Sequence, residues 1–273
     1  MPDRLRILFL GDIIGHPGRQ AVQRFLPGLV ERLSPDFVIA NGENAAGGSG
    51  ITEDVARELF HYVHILTSGN HVWDKKESLA FLDAEPRLLR PANYPPSNPG
   101  RGVAFHESPA GWTAAVLNLQ GRVFMEPIDC PFRVADELLE KVRARTPVVI
   151  VDFHAEATSE KQALGWHLDG RVSAVIGTHT HVPTADEKIL PGGTAVLTDV
   201  GMVGGFHSVI GIRHDQALAR FLSGRPQRFE PAKDGLILSG VLVEVDRATG
   251  RALSIRREEV AAPKDGSHEP GDA

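Results

Sequence analysis

The sequence predicts a layered α/β fold. Short runs rich in Val, Ile and Leu alternate with segments of helical period. Polar residues of the types that bind metals stand at the ends of successive runs, where the strands of an open α/β sheet deliver side chains to one crevice. A chain of 273 residues with 42 % apolar content supports a sizeable core, and it reads as one domain over 1–261.

The elements follow in order. "LRILFL" is the first strand. "PGRQAVQRFLPGLVERL" places Ala21, Phe25, Leu29 and Leu33 on one helical face, with Pro17 suited to the first turn and Pro27 expected to kink or divide the helix. "DFVIAN" is the second strand, and "TEDVARELFHYVH" a helix opened by Thr52. "ILTSGNH" reads as a short strand running into a loop, "VADELLEKVRA" as a helix and "PVVIVDFH" as a buried strand. "RVSAVIGTHTH" and "GTAVLTDVGM" give two more strands, and "LSGVLVEVDRATGRALSIRR" a hairpin turning at Asp246 to Gly250. The tail 262–273, "APKDGSHEPGDA", has a disordered composition.

Charge and cysteine content exclude several classes. A formal charge of −6 gives no footprint for gripping a nucleic-acid backbone, so no stable nucleic-acid complex is expected. The single cysteine, Cys130, cannot form an intramolecular disulfide. No signal pattern and no apolar run of about 18 residues is present, which points to a cytoplasmic protein without membrane partners. Homo-oligomerisation is left open.

The polar residues carry the chemistry. Asp12 follows the first strand, Glu43 and Asn44 the second, Asn70 and His71 the third; His154 ends "VVIVDFH", and His179 and His181 end "SAVIGTHTH". Each alone has a simpler reading: Asp12 as a helix or turn cap, Asn44 as a turn residue, His154 as a satisfied core histidine. His179 and His181 stand apart, because i, i+2 spacing in extended chain puts both imidazoles on one face, where burial is costly without a shared partner such as a metal. The glycine-rich "AAGGSG" lacks the Lys-Ser/Thr ending of a phosphate-binding loop.

Gly-Asp, Gly-Glu-Asn, Gly-Asn-His and Gly-Thr-His-Thr-His, in that order, resemble the calcineurin-like metallophosphoesterases. "NGENAAGG", "LLRPANYP", "NLQGRVFM", "DFHAEATSEKQALGWHLDGRVSAVIGTHTHV" and "TDVGM" resemble the YmdB-like branch, from residue 5 to about 245. The resemblance implies a four-layer αββα sandwich, a two-metal site, and hydrolysis of small phosphodiesters of the 2',3'-cyclic nucleotide class. Residue by residue, it implies Asp12 as a terminal ligand of the first metal, Glu43 as the carboxylate bridging both, Asn70, His154 and His179 as ligands of the second, His181 as a ligand of the first, and His71 as general acid. The wider superfamily reads Asp-x-His in its first motif, whereas this chain has Ile14 at the third position. Within the branch, the resemblance implies that Asn44, adjacent to Glu43, reaches the same ion through its amide oxygen.

Two divalent ions about 3.5–4 Å apart can activate water at neutral pH and clamp phosphate oxygens during in-line attack. Nitrogen and oxygen donors without thiolate suit Fe, Mn or Zn without choosing between them. The ions also let an acidic protein bind an anion. A Rossmann-type dinucleotide enzyme is the main enzymatic alternative, but glycines at 11, 15 and 18 do not make G-x-G-x-x-G and the histidines go unused. A metal-dependent regulatory or binding protein with weak hydrolysis is the other. Arg90, Arg101 and Arg122 lie in loops that resemble the branch and are candidates for contact with a substrate phosphate.

Overall fold

The computed structural model describes residues 4–261; the tail expected to be disordered lies outside them. Its first half runs β1 (Arg4–Ile13), α1 (Gly15–Leu33), β2 (Phe37–Asn41), α2 (Glu53–Leu59), β3 (Ile65–Thr67), α3 (Leu79–Ala84), β4 (Val103–Glu107), β5 (Thr113–Gln120) and α4 (Pro131–Arg143). The second half runs β6 (Val149–His154), α5 (Thr158–His167), β7 (Ala174–Thr178), β8 (Lys188–Ile189), β9 (Ala195–Leu197), β10 (Met202–Gly205), α6 (His214–Ser223), β11 (Leu236–Asp246) and β12 (Ala252–Ala261). Two six-stranded sheets form, in the orders β12-β11-β10-β1-β2-β3 and β4-β5-β6-β7-β9-β8. In the first, β10, β1, β2 and β3 run parallel, and in the second β5, β6, β7 and β9 do.

Side-chain alternation divides the core into three slabs. On β1, Ile7 and Phe9 point inward and pack with Val116, Ile150 and Ile176 of the second sheet, filling the space between the sheets. Leu8 and Leu10 point outward, onto Val22, Leu26 and Leu29 of α1. Across the molecule, Leu117, Val151 and Phe153 face outward onto Leu139 of α4 and Leu164 of α5. The result is helix, sheet, sheet, helix, the four-layer sandwich that the resemblance implies.

Several local expectations need correction. α1 continues through Pro27, which sits on the exposed side of the helix, where the carbonyl it leaves unbonded can meet water. Its buried face is Ala21, Val22, Leu26, Leu29 and Leu33, with Phe25 only partly buried against it. "GTAVLTDVGM" is two strands rather than one: β9 joins the second sheet and β10 the first, with the chain crossing at Asp199 and Gly201. The antiparallel pair β4–β5 and helices α5 and α6 are further elements that the sequence reading does not identify. Thr52 does cap α2, its hydroxyl accepting from the Val55 N–H.

Candidate metal centre

Five strand ends converge between the two sheets. Asp12 lies near the end of β1, Glu43 and Asn44 just past β2, Asn70 just past β3, His154 at the last position of β6, and His179 and His181 past β7. Their side chains meet. Glu43, His154 and His179 form one group of potential ligand atoms within 4.8 Å of one another, and Asp12, Glu43 and His181 form a second. Glu43 belongs to both.

In the first-named group, Glu43 Oε1 is 2.9 Å from His154 Nε2, Asn70 Oδ1 is 3.2 Å from the same nitrogen, and His179 Nδ1 is 3.0 Å from it. In the other, His181 Nε2 lies 3.2 Å from Asn44 Oδ1 and 3.9 Å from Asp12 Oδ1. The second nitrogen of each terminal histidine is held from outside: His181 Nδ1 is 2.9 Å from the Ile210 carbonyl and His179 Nε2 is 3.2 Å from Glu156 Oε2. That arrangement turns Nε2 of His181 and Nδ1 of His179 inward.

The reason for this geometry differs from the one the i, i+2 spacing suggests. His179 and His181 are not in extended chain; both have left-handed backbone, with φ of 97° and 65°. The loop therefore sends one ring to each group instead of both to one face. Such conformations are costly for non-glycine residues and persist where surrounding contacts over-determine them. Those contacts are explicit: the His179 N–H donates to Asp12 Oδ2 (3.2 Å), and Thr180 donates its N–H and hydroxyl to Asp199 Oδ2 (3.1 and 2.7 Å). Buried Lys161 Nζ, 2.8 Å from the same oxygen, neutralises Asp199.

Asn70 and His71 are likewise not extended, because residues Asn70–Trp73 form a 3₁₀ turn. The turn separates the two side chains. Asn70 faces His154, while His71 lines the cavity beside the groups with its side chain 39 % exposed. Its Nδ1 is 2.9 Å from Asp74 Oδ2, leaving Nε2 for a ligand, and its backbone N–H donates to Glu43 Oε2 (3.3 Å). Ser49 bonds to Asp74 in turn.

The donor set fits a cation. Asp12 is fully buried, yet its Oδ1 has no hydrogen-bond partner. Burial pushes Asp12 up to about 7, against the pull of His181 and His154. Burial also works against the Glu43 anion and the His154 cation, yet their mutual attraction wins: Glu43 falls to about 2 and His154 rises to about 9. Burial and the neighbouring His154 hold His179 down, at about 3. An unpartnered oxygen on a buried carboxylate, and imidazole nitrogens clustered with the Glu43 and Asn70 oxygens, suit divalent ions bound by N and O donors.

Beside the two groups lies a cavity of about 530 Å³, whose lining includes the polar Glu43, Asn44, His71, His179 and His181 and the apolar Ile14, Ile210, Ile212, Phe229 and Pro231. Ile14 thus contributes to the wall where the wider superfamily has a histidine. None of the three arginines lines this cavity. Buried Arg90 donates instead to the carbonyls of Pro91, Asn98 and Pro99, Arg101 to the carbonyl of Asp83, and the Arg122 backbone N–H to Glu160. Gly69 is a further residue missed in the sequence: a β-carbon there would fall 2.2 Å from His154 Nε2 and 2.3 Å from Glu43 Oε2.

Known proteins are similar to this chain over nearly its whole length. The family model described as "YmdB-like protein" matches residues 8–257. The 2',3'-cyclic-nucleotide 2'-phosphodiesterase of Bacillus subtilis (strain 168) is 49 % identical over 254 residues, covering 93 % of this chain and 96 % of the relative. A putative phosphatase/phosphodiesterase of Mycoplasma pneumoniae is 38 % identical over 93 % of this chain and 92 % of its own. Among solved structures, a hypothetical protein from Thermus thermophilus superposes with a TM-score of 0.89 at 45 % identity, covering 95 % of this chain and 100 % of the other. A novel phosphatase from Mycoplasma pneumoniae superposes at 0.90 with 38 % identity, covering 96 % and 95 %. With the family model spanning nearly the whole chain and relatives this close over nearly their whole length, the chain belongs to the YmdB-like family.

Proposed function

We propose that this chain hydrolyses small phosphodiesters, with 2',3'-cyclic nucleotides as the substrate class, at a centre of two divalent ions drawn from Fe, Mn or Zn. The observation that carries the reading is the pair of ligand groups sharing Glu43 beside one cavity. The 49 % identity to a 2',3'-cyclic-nucleotide 2'-phosphodiesterase supports the choice of substrate. Asp12, Asn44 and His181 would hold one ion, Asn70, His154 and His179 the other, and Glu43 both. When bound, such ions supply Lewis-acid activation of water and of the phosphate oxygens.

The protein's own residues do the rest. His71, braced by Asp74 and lining the cavity, would give its Nε2 proton to the leaving ribose oxygen. The apolar lining residues Ile14, Ile210, Ile212, Phe229 and Pro231 suit the ribose and base, leaving the phosphate to the potential metal ligands. With no Lys or Arg among the described residues lining the cavity, the phosphate's charge is left to the bound ions and His71. A cytoplasmic setting belongs to this proposal, supported by the lone cysteine; no helix among the described residues is long and apolar enough to cross a membrane.

The test combines elemental analysis with hydrolysis of 2',3'-cyclic AMP in the presence of Mn²⁺. Two ions per chain and metal-dependent opening of the ring are expected. A protein that binds both ions but turns over neither cyclic nucleotides nor bis-p-nitrophenyl phosphate would be a binding module, and the enzymatic reading would fall.

A further inference from the structure

Asp152 lies inside β6, two residues before His154, and is completely buried without a basic side chain bonded to it. A carboxylate in that position is costly unless several donors converge on it. Three do. Asn41 Nδ2 donates to Oδ2 (3.0 Å), the Thr67 hydroxyl donates to Oδ2, and the Thr178 hydroxyl donates to Oδ1 (2.7 Å). Asn41 and Thr67 end β2 and β3 in the first sheet, whereas Asp152 and Thr178 belong to the second. The carboxylate therefore joins the two sheets at the point where their strand ends meet.

Each partner of Asp152 leads to at least one potential ligand. Asn41 Oδ1 accepts the Glu43 backbone N–H (3.0 Å). Thr67 precedes the Ser68-Gly69 step to Asn70, and Thr178 precedes His179. The Thr178 hydroxyl is also 2.9 Å from His154 Nδ1. Because the Glu43 N–H fixes the orientation of the Asn41 amide, Asn41 must present its NH₂ group to Asp152. Because Thr178 has a single proton and gives it to Asp152, it can only accept from His154. The proton that His154 keeps on metal binding must then be the one on Nδ1, and Nε2, beside Glu43, Asn70 and His179, is the nitrogen that gives up its proton to become a ligand.

We propose that Asp152 is the positioning residue of the Glu43, His154 and His179 group: through Thr178 it sets the His154 tautomer, and through Asn41 and Thr67 it locks the strand ends that carry Glu43 and Asn70. The inference rests on the two-ion reading above and adds the residue that arranges one half of the centre before any ion arrives.

Three substitutions test it. Asp152→Asn keeps the shape but changes the bonding order. Asn41 remains a donor to the oxygen, so the new NH₂ group faces Thr178, whose proton turns to His154 Nδ1 and forces the proton onto Nε2, where a ligand lone pair is needed. Thr178→Val removes the hydroxyl at nearly constant volume, and Thr178→Ser restores it. The measurement is calorimetric titration of metal-free protein with Mn²⁺, with circular-dichroism melts of the same samples. Wild type should bind two ions. Asp152→Asn and Thr178→Val should keep one tight ion and bind the other about 10–100-fold more weakly, while Thr178→Ser stays close to wild type. If Thr178→Val binds both ions like wild type, or Thr178→Ser is as impaired as Thr178→Val, Asp152 is a packing residue and the proposal fails. Should Asp152→Asn not fold, the Thr178 pair decides alone. A wild-type protein that binds fewer than two ions defeats the two-ion reading itself, a result visible before any substitution is made.

Discussion

Gly69→Ala adds a single methyl group to the protein and should disable one half of the centre. The new β-carbon would stand 2.1 Å from His154 Cδ2, 2.2 Å from its Nε2 and 2.3 Å from Glu43 Oε2, where ordinary contact begins at 3.4 Å. The expected effect comes from this clash. Neither neighbour can move freely: His154 is fully buried against Thr178, and the Glu43 backbone is pinned by Asn41. Both must give by roughly 1 Å, a displacement that costs on the order of 10²-fold in turnover when it reaches reacting groups. Overpacking in a close-packed interior should cost about 1–3 kcal/mol, which leaves the fold intact. The assay pairs elemental analysis after dialysis with kcat/KM for 2',3'-cyclic AMP, and Gly28→Ala serves as control because nothing lies within 4 Å of a β-carbon there. The control should turn over normally and be slightly more stable, by about 0.5–1 kcal/mol. Two tightly bound ions and wild-type turnover in Gly69→Ala would mean that His154 and Glu43 are not arranged as described.

Other perturbations separate the roles of neighbouring residues. His71→Ala should lower kcat for cyclic nucleotides by about 10²–10⁴-fold while both ions stay, and should cost much less with p-nitrophenyl esters, whose leaving group needs little protonation; loss of metal would move His71 out of the acid role. Glu43→Ala should lose at least one ion per chain together with turnover, and full metal content with normal activity would show that no carboxylate is shared. Asn44→Ala should weaken only the ion on Asp12 and His181, as read by calorimetric titration; unchanged affinity would make Asn44 a loop residue. In metal-free protein, Asp12 at about 7 and His154 at about 9 both lie above their unfolded values, so the folded state holds extra protons whose contribution to stability is lost as pH rises toward those values. Ligation needs those protons gone, so the melting-temperature gain on adding Mn²⁺ should grow from pH 6 to pH 9; a gain that is flat with pH would refute proton-coupled binding at these two residues.

How much of this was legible in the sequence depended on whether a residue acts along its own strand or across to another. Polar residues closing apolar runs were enough to mark Asp12, Glu43, Asn70, His154, His179 and His181, because a parallel sheet carries its strand ends to one edge whatever the loops do. The same reasoning failed on "GTAVLTDVGM", where the turn at Asp199 and Gly201 passes the chain from one sheet to the other without interrupting the apolar pattern. It also gave the wrong cause for the histidine pair, since only the Asp199 and Asp12 bonds reveal that His179 and His181 sit in left-handed backbone.

Asp152 is the more instructive omission. In "VVIVDFH" it is an acid in the middle of a buried strand, a placement that demands partners. Asn41 ends an apolar strand in the same way, and so does Thr67. Each is unremarkable alone, because the sequence holds no sign that residues 41, 67, 152 and 178 face one another. The contact exists only because two sheets, each with its own parallel register, pack so that the end of β2 meets the end of β6. If Asp152 acts as inferred, the two groups of the centre are supported unequally: His181 relies on the Ile210 carbonyl and half-exposed loops, while His154 is held by a buried network crossing both sheets. The group around His154 should then keep its arrangement without metal, and the Asp12 and His181 group should tighten only on binding. Metal-free hydrogen exchange can check that order: the amides of Glu43, His154 and Thr178 should be well protected, whereas those of residues 209–212 should gain protection when Mn²⁺ is added. Equal exchange in both segments, with and without metal, would remove the asymmetry.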